Sequence, residues 1–299
     1  GIQRLFRGKI TDHFSPNPSA WPYTVSTHRA YQICESWGYK DRIDKILNDP
    51  ANSYLDSPER RSFLRRLLVQ TTFETYIALI FQKFVDDLGL PIPGGKLPEW
   101  HINMSQFERN VTGPPDGPTS VSFGVEGFHP LYALAQHHRM PTRLLDWTLN
   151  PLVAAYFAAE DTTQDDEGNV LVWAANRRAL QRSNILEFSV ERSQVGFLHA
   201  QEGLFTYQCS ANLSFLTAQR WLSVEELAPS YGLQRLTLPR SEAPELRHLL
   251  WIEGISKAHL MPTLDNISEA LKDHWNLVYS QLLPEIREVA ENVESDGRP

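Results

Sequence analysis

The chain has 299 residues with 28 basic and 36 acidic side chains, a formal charge of −8. This excludes a phosphate-neutralising surface spread over the whole molecule, which needs a basic excess. Hydrophobic residues at 41% and charged residues at 21% supply enough apolar material for a core and exclude a disordered chain. The two cysteines, Cys34 and Cys209, form no Cys-x-x-Cys pair, so a disulfide framework and a thiolate zinc site are excluded as well.

In chain order, Leu5-Phe6 leading into Arg7-Gly8-Lys9-Ile10 reads as a strand, followed by a loop through Pro16, Pro18 and Pro22. A helix is predicted over 28–37, stopped by Gly38. Ser57-Pro58 supplies a cap and a first-turn proline, after which Phe73, Ile77, Ile80, Phe84 and Leu88 recur at helical spacing until Gly89 and Pro91. Arg60, Arg61, Arg65 and Arg66 at the start of this helix read as a solvated face. From Pro91 to Pro118 six prolines and four glycines forbid a continuous helix or a central strand, and an irregular insertion is expected.

Beyond it, 129–136 looks helical, 143–146 extended, and Asn150-Pro151 caps a helix running to about Glu160. Strands are predicted at 170–173, 184–190 and 203–207. Ser223 with Glu226 forms a capping box, and helices are predicted over 243–251, closed by Gly254, and over 266–283. The longest apolar runs, 76–81 and 152–159, fall short of the roughly 20 residues that cross a bilayer. Gly1 to Gly8 lacks the apolar stretch and cleavage site of a secretory signal. A cytoplasmic location and no membrane partner are therefore expected.

The phosphate loop ending in Gly-Lys-Ser/Thr, the His-Glu-x-x-His helix and the Gly-x-Ser-x-Gly elbow are all missing. His137-His138, with Asp146 nearby, invites a metal-hydrolase reading. Adjacent residues on a regular element do not point the same way, however, and no metal is expected.

Three segments carry a family likeness: Phe6-Arg7-Gly8; the block from Ala135-Gln136-His137-His138 through Pro141-Thr142-Arg143-Leu144-Leu145-Asp146-Trp147-Thr148-Leu149-Asn150-Pro151 to Ala158; and Ala200-Gln201-Glu202-Gly203-Leu204-Phe205-Thr206. Together they resemble the FRG-domain family, and the stretch from Gly254 to Asp265 is similar to that family's carboxy-terminal pattern. The likeness implies a single domain over 1–299, with 40–127 as a helical and Pro/Gly-rich insertion. The order of the segments also resembles that of ADP-ribosyltransferases. This implies an α+β fold with a split, mostly antiparallel β core clasping NAD, which is used as a substrate.

On that resemblance Arg7 would supply a fixed, planar cation to phosphate or ribose. Gly8 would let the backbone approach the nicotinamide amide, and Thr148 would organise ribose and the catalytic carboxylate. Tyr156 and His137 would line the cofactor cleft. Cleaving the nicotinamide bond passes through an oxocarbenium-like state that a carboxylate on the ribose hydroxyls stabilises, which points to Gln201 and Glu202 as the catalytic pair. If Gln201 takes the first position of the transferases' Gln-x-Glu pattern, the glutamate position holds Gly203, and two successive strand residues cannot both face one cleft without a bulge or turn. Which of the pair acts is open, with Asp146 and Glu160 as other carboxylates. So are three functions: transfer of ADP-ribose from NAD to an unknown macromolecular acceptor or to water; a non-catalytic nucleotide- or protein-binding module; and a hydrolase using His137, His138 and Asp146.

Overall fold

The computed structural model describes residues 4–9, 40–48, 57–92, 95, 130–138, 140, 142–160, 167–188, 190, 197–208, 211–276 and 278–279. The helix expected over 28–37 and most of the Pro/Gly-rich insertion lie outside these residues.

Six strands form one sheet in the order β4-β5-β2-β1-β3-β6, with every neighbouring pair antiparallel. They are β1 (Arg4–Lys9), β2 (Leu145–Thr148), β3 (Asn169–Asn176), β4 (Ile185–Phe188), β5 (Gly203–Gln208) and β6 (Leu233–Pro239). The mixed helix and antiparallel sheet is the expected α+β class. On one side β1 pairs with β3 over its full length, from Arg4↔Asn176 to Lys9↔Leu171. On the other side its register with β2 consists of Phe6↔Thr148 alone. The sheet is therefore two three-stranded halves, β4-β5-β2 and β1-β3-β6, joined at one point. Among the described residues no register pair links Arg7, Gly8 or Lys9 to Trp147, Asp146 or Leu145, so the β1–β2 ladder stops at the junction.

Period-two alternation sends successive residues of β5 into different cores. Leu204 joins Leu145, Trp147, Trp173, Ala175, Leu180 and Ile185. Phe205 and Tyr207 join Leu131, Tyr132, Ala133, Leu144 and Leu198. Across the first layer Trp147 Nε1 donates to Thr206 Oγ1 at 2.8 Å, which satisfies a polar atom inside an apolar cluster.

The described helices are α1 (Lys40–Leu47), α2 (Pro58–Asp87), α3 (Pro130–His137), α4 (Pro151–Ala159), α5 (Arg177–Arg182), α6 (Ala211–Ala218), α7 (Val224–Leu227), α8 (Ala243–Ile252) and α9 (Lys257–Leu260), with α10 over 264–276. The capping box of α7 forms as expected: the Ser223 side chain accepts from Glu226 N–H, and the Glu226 side chain accepts from Ser223 N–H. Gly254, just past α8, has φ 76°, a left-handed helix stop that glycine enters without a Cβ clash.

The long helix α2 follows the expected bounds. Of the apolar residues that recur along it, Ile80, Phe84 and Leu88 are 37%, 63% and 73% exposed, whereas Leu64, Leu67, Ala78 and Val85 are buried. The spacing marks the helix, and packing decides which of its apolar residues enter the core. Phe73's side chain lies outside the described residues. At the start of α2, Arg61 donates to the Leu47 carbonyl and Arg65 pairs with Asp44, so these exposed arginines tie α2 to α1. Arg66 lies 5.6 Å from the centre of the Phe215 ring.

The sequence reading missed β6, an edge strand whose Leu236 is 44% exposed. Its weak apolar alternation reflects having one strand neighbour.

Candidate functional site

The three family-like segments meet at the junction between the sheet halves. Thr148 pairs with Phe6 on one side and with Gly203 on the other, so β1, β2 and β5 share one row, Phe6–Thr148–Gly203. The sequence order that brings this about is simple. Asp146-Trp147-Thr148 ends a strand, Leu149 turns, and Asn150-Pro151 begins α4. The Asn150 side-chain oxygen accepts from Leu152 N–H at 3.0 Å and so caps a free amide of the first turn.

Arg7 and Gly8 occupy β1 opposite Trp173 and Val172. The side chain of Arg7 lies outside the described residues.

Gln201 and Glu202 are not on a strand. They end a tight turn over 197–202, closed by Gln201 N–H to Phe197 O at 3.0 Å, Glu202 N–H to His199 O at 3.1 Å and Gly203 N–H to Leu198 O at 2.9 Å. Phe197 and Glu202, at φ 65° and 47°, both take the left-handed conformation, which is uncommon for side chains with a Cβ. The turn removes the strand-alternation objection, because neither residue obeys the period of two. A Cβ at Gly203 would approach Leu198 Cδ1 to 2.5 Å, so a side chain there would require the buried Leu198 to shift. The carboxylate of this segment is carried one residue earlier, at Glu202.

The turn and the β2–α4 connection are sewn together by hydrogen bonds. Thr148 Oγ1 donates to the Gln201 carbonyl at 2.7 Å and accepts from Asn150 N–H at 3.0 Å. Leu149 N–H donates to the Glu202 carbonyl at 3.2 Å. Asn150 Nδ2 donates to Glu202 Oε1 at 3.1 Å, and Gln201 Nε2 donates to the Leu260 carbonyl at 3.4 Å. Thr148, Gln201 and Glu202 thus form one connected group, with Thr148 buried and the other two half-buried.

His137 ends α3, half-buried, its ring 5.3 Å from His138 and 5.7 Å from Phe197 at the start of the turn. Burial, and then the neighbouring His138, lower its pKa against the opposing pull of Asp146, which favours the neutral ring. Asp146 is exposed and accepts from Gln136 Nε2 at 2.7 Å, and Gln136 in turn accepts from Thr142 Oγ1. Among the described residues no three His, Cys, Asp or Glu side chains gather as a metal site would require. Arg143, in the same segment, is 5% exposed, and its guanidinium lies 5.1 Å from the Trp221 ring centre, a buried cation–π contact.

Tyr156 is buried with Val153, Leu250 and Leu260, between α4 and the α8–α9 pair. Its hydroxyl donates to Glu160 Oε1 at 3.4 Å. Burial, and then the charge of Glu160, push the phenol far above its ordinary range and keep it protonated. Glu160 also faces Lys257, which reaches Glu269 at 2.8 Å.

Asn150 was legible in the sequence as a helix cap, but its contact with Glu202 was not, since the two are 52 positions apart. No helix among the described residues is long and apolar enough to cross a membrane. Residues 100–167 match the family model of the FRG domain. No curated protein and no solved structure matches the chain.

Proposed function

This chain carries an FRG-domain segment at residues 100–167, and from that premise we propose that it is an NAD-using enzyme of the ADP-ribosyltransferase type. It cleaves the nicotinamide glycosidic bond and transfers ADP-ribose to an acceptor. The observation that carries the reading is the row Phe6–Thr148–Gly203, where the Phe-Arg-Gly, Asp-Trp-Thr and Gln-Glu-Gly segments converge at the single link between two sheet halves.

In this reading the dinucleotide binds where the β1–β2 ladder stops. Arg7 supplies the cation for its pyrophosphate, and Gly8 allows the nicotinamide carboxamide to pair with backbone groups. Glu202 accepts a hydrogen bond from a ribose hydroxyl and stabilises the positive charge that develops as nicotinamide leaves. Thr148 holds the turn that carries Glu202 through its bond to the Gln201 carbonyl. Water is one candidate acceptor, a macromolecule the other.

Incubation with NAD labelled in the adenylate half tests this directly. Released nicotinamide, with label on a protein acceptor or as free ADP-ribose, supports it; heat of binding without turnover supports a non-catalytic nucleotide-binding module instead. That second reading is favoured by one observation: the strand position that holds glutamate in the transferases' pattern is here a glycine, Gly203. Arg7→Ala sharpens the result. NAD affinity measured by calorimetry should fall about 10- to 100-fold, the loss expected of a charge-assisted hydrogen bond, with the melting temperature retained. An unchanged affinity removes the cleft assignment.

A further inference from the structure

Asn150 does two jobs with the two ends of one amide. Its oxygen caps α4 by accepting from Leu152 N–H, and its nitrogen donates to Glu202 Oε1 at 3.1 Å. Capping needs only the oxygen, and Ser or Asp would supply that equally well. An Asn is required only if the nitrogen matters too. The carboxylate it holds belongs to a residue at φ 47°, the last of the turn before β5, so the Glu202 side chain leaves the chain at a point where the strand ladder does not orient it. The Asn150 backbone is fixed in its turn by its N–H bond to Thr148 Oγ1, and Thr148 sits in the row that joins the sheet halves.

We propose that Asn150 is a positioning residue: its side-chain amide couples the start of α4 to the Glu202 carboxylate and holds that carboxylate at the sheet junction. The inference rests on the reading that Glu202 serves NAD cleavage. It adds the device that orients this glutamate in place of a strand. A displacement of a reacting group by about 1 Å costs up to about a hundredfold in rate, so the amide is expected to act on turnover and not on substrate affinity.

The test uses the full chain with Asn150→Ser and Asn150→Asp, which both keep a capping oxygen but lose the donor, each made with and without Glu202→Gln. In the otherwise wild-type protein Asn150→Ser should lower kcat for nicotinamide release about 10- to 100-fold, with KM within about twofold. An unchanged kcat overturns the proposal. A second measurement, thermal unfolding at pH 7, does not depend on activity. With Glu202 present, Asn150→Asp should melt below Asn150→Ser, because two carboxylates then face each other. In the Glu202→Gln background the order should reverse, because the amide introduced at 202 can donate to the carboxylate introduced at 150. The same order in both backgrounds shows a cap and nothing more, and overturns the proposal. If the wild-type protein releases no nicotinamide, it is the NAD reading that fails, and the unfolding cycle alone decides whether Asn150 holds Glu202.

Discussion

The two flanks of β1 differ sharply. Toward β3 the strand is paired from Arg4↔Asn176 to Lys9↔Leu171; toward β2 it is held by Phe6↔Thr148 alone. An antiparallel ladder that runs its full length satisfies the backbone and seals the sheet, whereas one that stops after a single pair leaves strand backbone groups outside the ladder. The family-like segments lie along the second flank. The fully paired flank ties β1 into the sheet, and on the reading proposed above the flank that stops at one pair is where the ligand binds.

Mutations on the two flanks should therefore separate stability from activity. The largest effect is expected in the zipped half. Leu171, fully buried in β3, when replaced by Ala should lose about 2–5 kcal/mol of stability in urea unfolding, while the specific activity of the folded fraction is retained. A matching loss of NAD turnover per folded molecule would break the division of labour. At the junction the opposite is expected: Glu202→Gln should reduce kcat for nicotinamide release about a hundredfold or more, with NAD affinity within a few-fold and little change in melting temperature. An unaltered rate would transfer the role to Asp146 or another carboxylate.

Thr148→Val tests the seam itself. It keeps the shape and removes the hydroxyl that joins the Gln201 carbonyl to Asn150 N–H. About 1 kcal/mol of stability should be lost, with a fall in turnover that exceeds this modest unfolding penalty. Turnover unchanged beside a clear stability loss would mean that the turn holds its shape without the bond.

The smallest effect lies outside both flanks and calibrates them. Arg220 first, and then Ser223 N–H, hold the Glu226 carboxyl at about 2 against an ordinary 4.5. A carboxyl depressed on folding contributes stability that is present above the unfolded value and lost as pH falls through the folded one. The melting difference between wild type and Glu226→Gln should therefore be greatest above pH 4.5 and vanish as pH approaches 2. Because this pair is exposed, the difference should be small at any pH and should shrink with salt. A difference that grows toward acid would refute the assignment.

Much of this was legible along the chain, and the reason differs by element. The α4 start followed from Asn150-Pro151 and the α7 start from Ser223 and Glu226, because capping is settled within a few residues. The strands β1, β3, β4 and β5 followed from short β-prone runs bounded by turn residues. The buried face of α2 was not legible, because Ile80, Phe84 and Leu88 have the same spacing as a core stripe and only a neighbour can distinguish them. The edge strand β6 carried too little apolar alternation to be noticed. Within the site, the residue types at 7, 148, 201 and 202 were visible, but the turn that frees Glu202 from strand alternation was not. That turn is closed by backbone hydrogen bonds from Gln201, Glu202 and Gly203 back to Phe197, His199 and Leu198.

The sequence by itself determined the local elements, their caps and the chemical groups available: a permanent cation at 7, a hydroxyl at 148 and a carboxylate at 202. These follow from covalent structure and from interactions a few residues in range. Tertiary structure alone decided that Phe6, Thr148 and Gly203 stand in one row, that the β1–β2 ladder ends at that row, and that Asn150 reaches Glu202. Strand register and long-range hydrogen bonds are chosen by the packing of the whole sheet, where a shift of one residue would exchange the two faces, and no short stretch of sequence contains that choice.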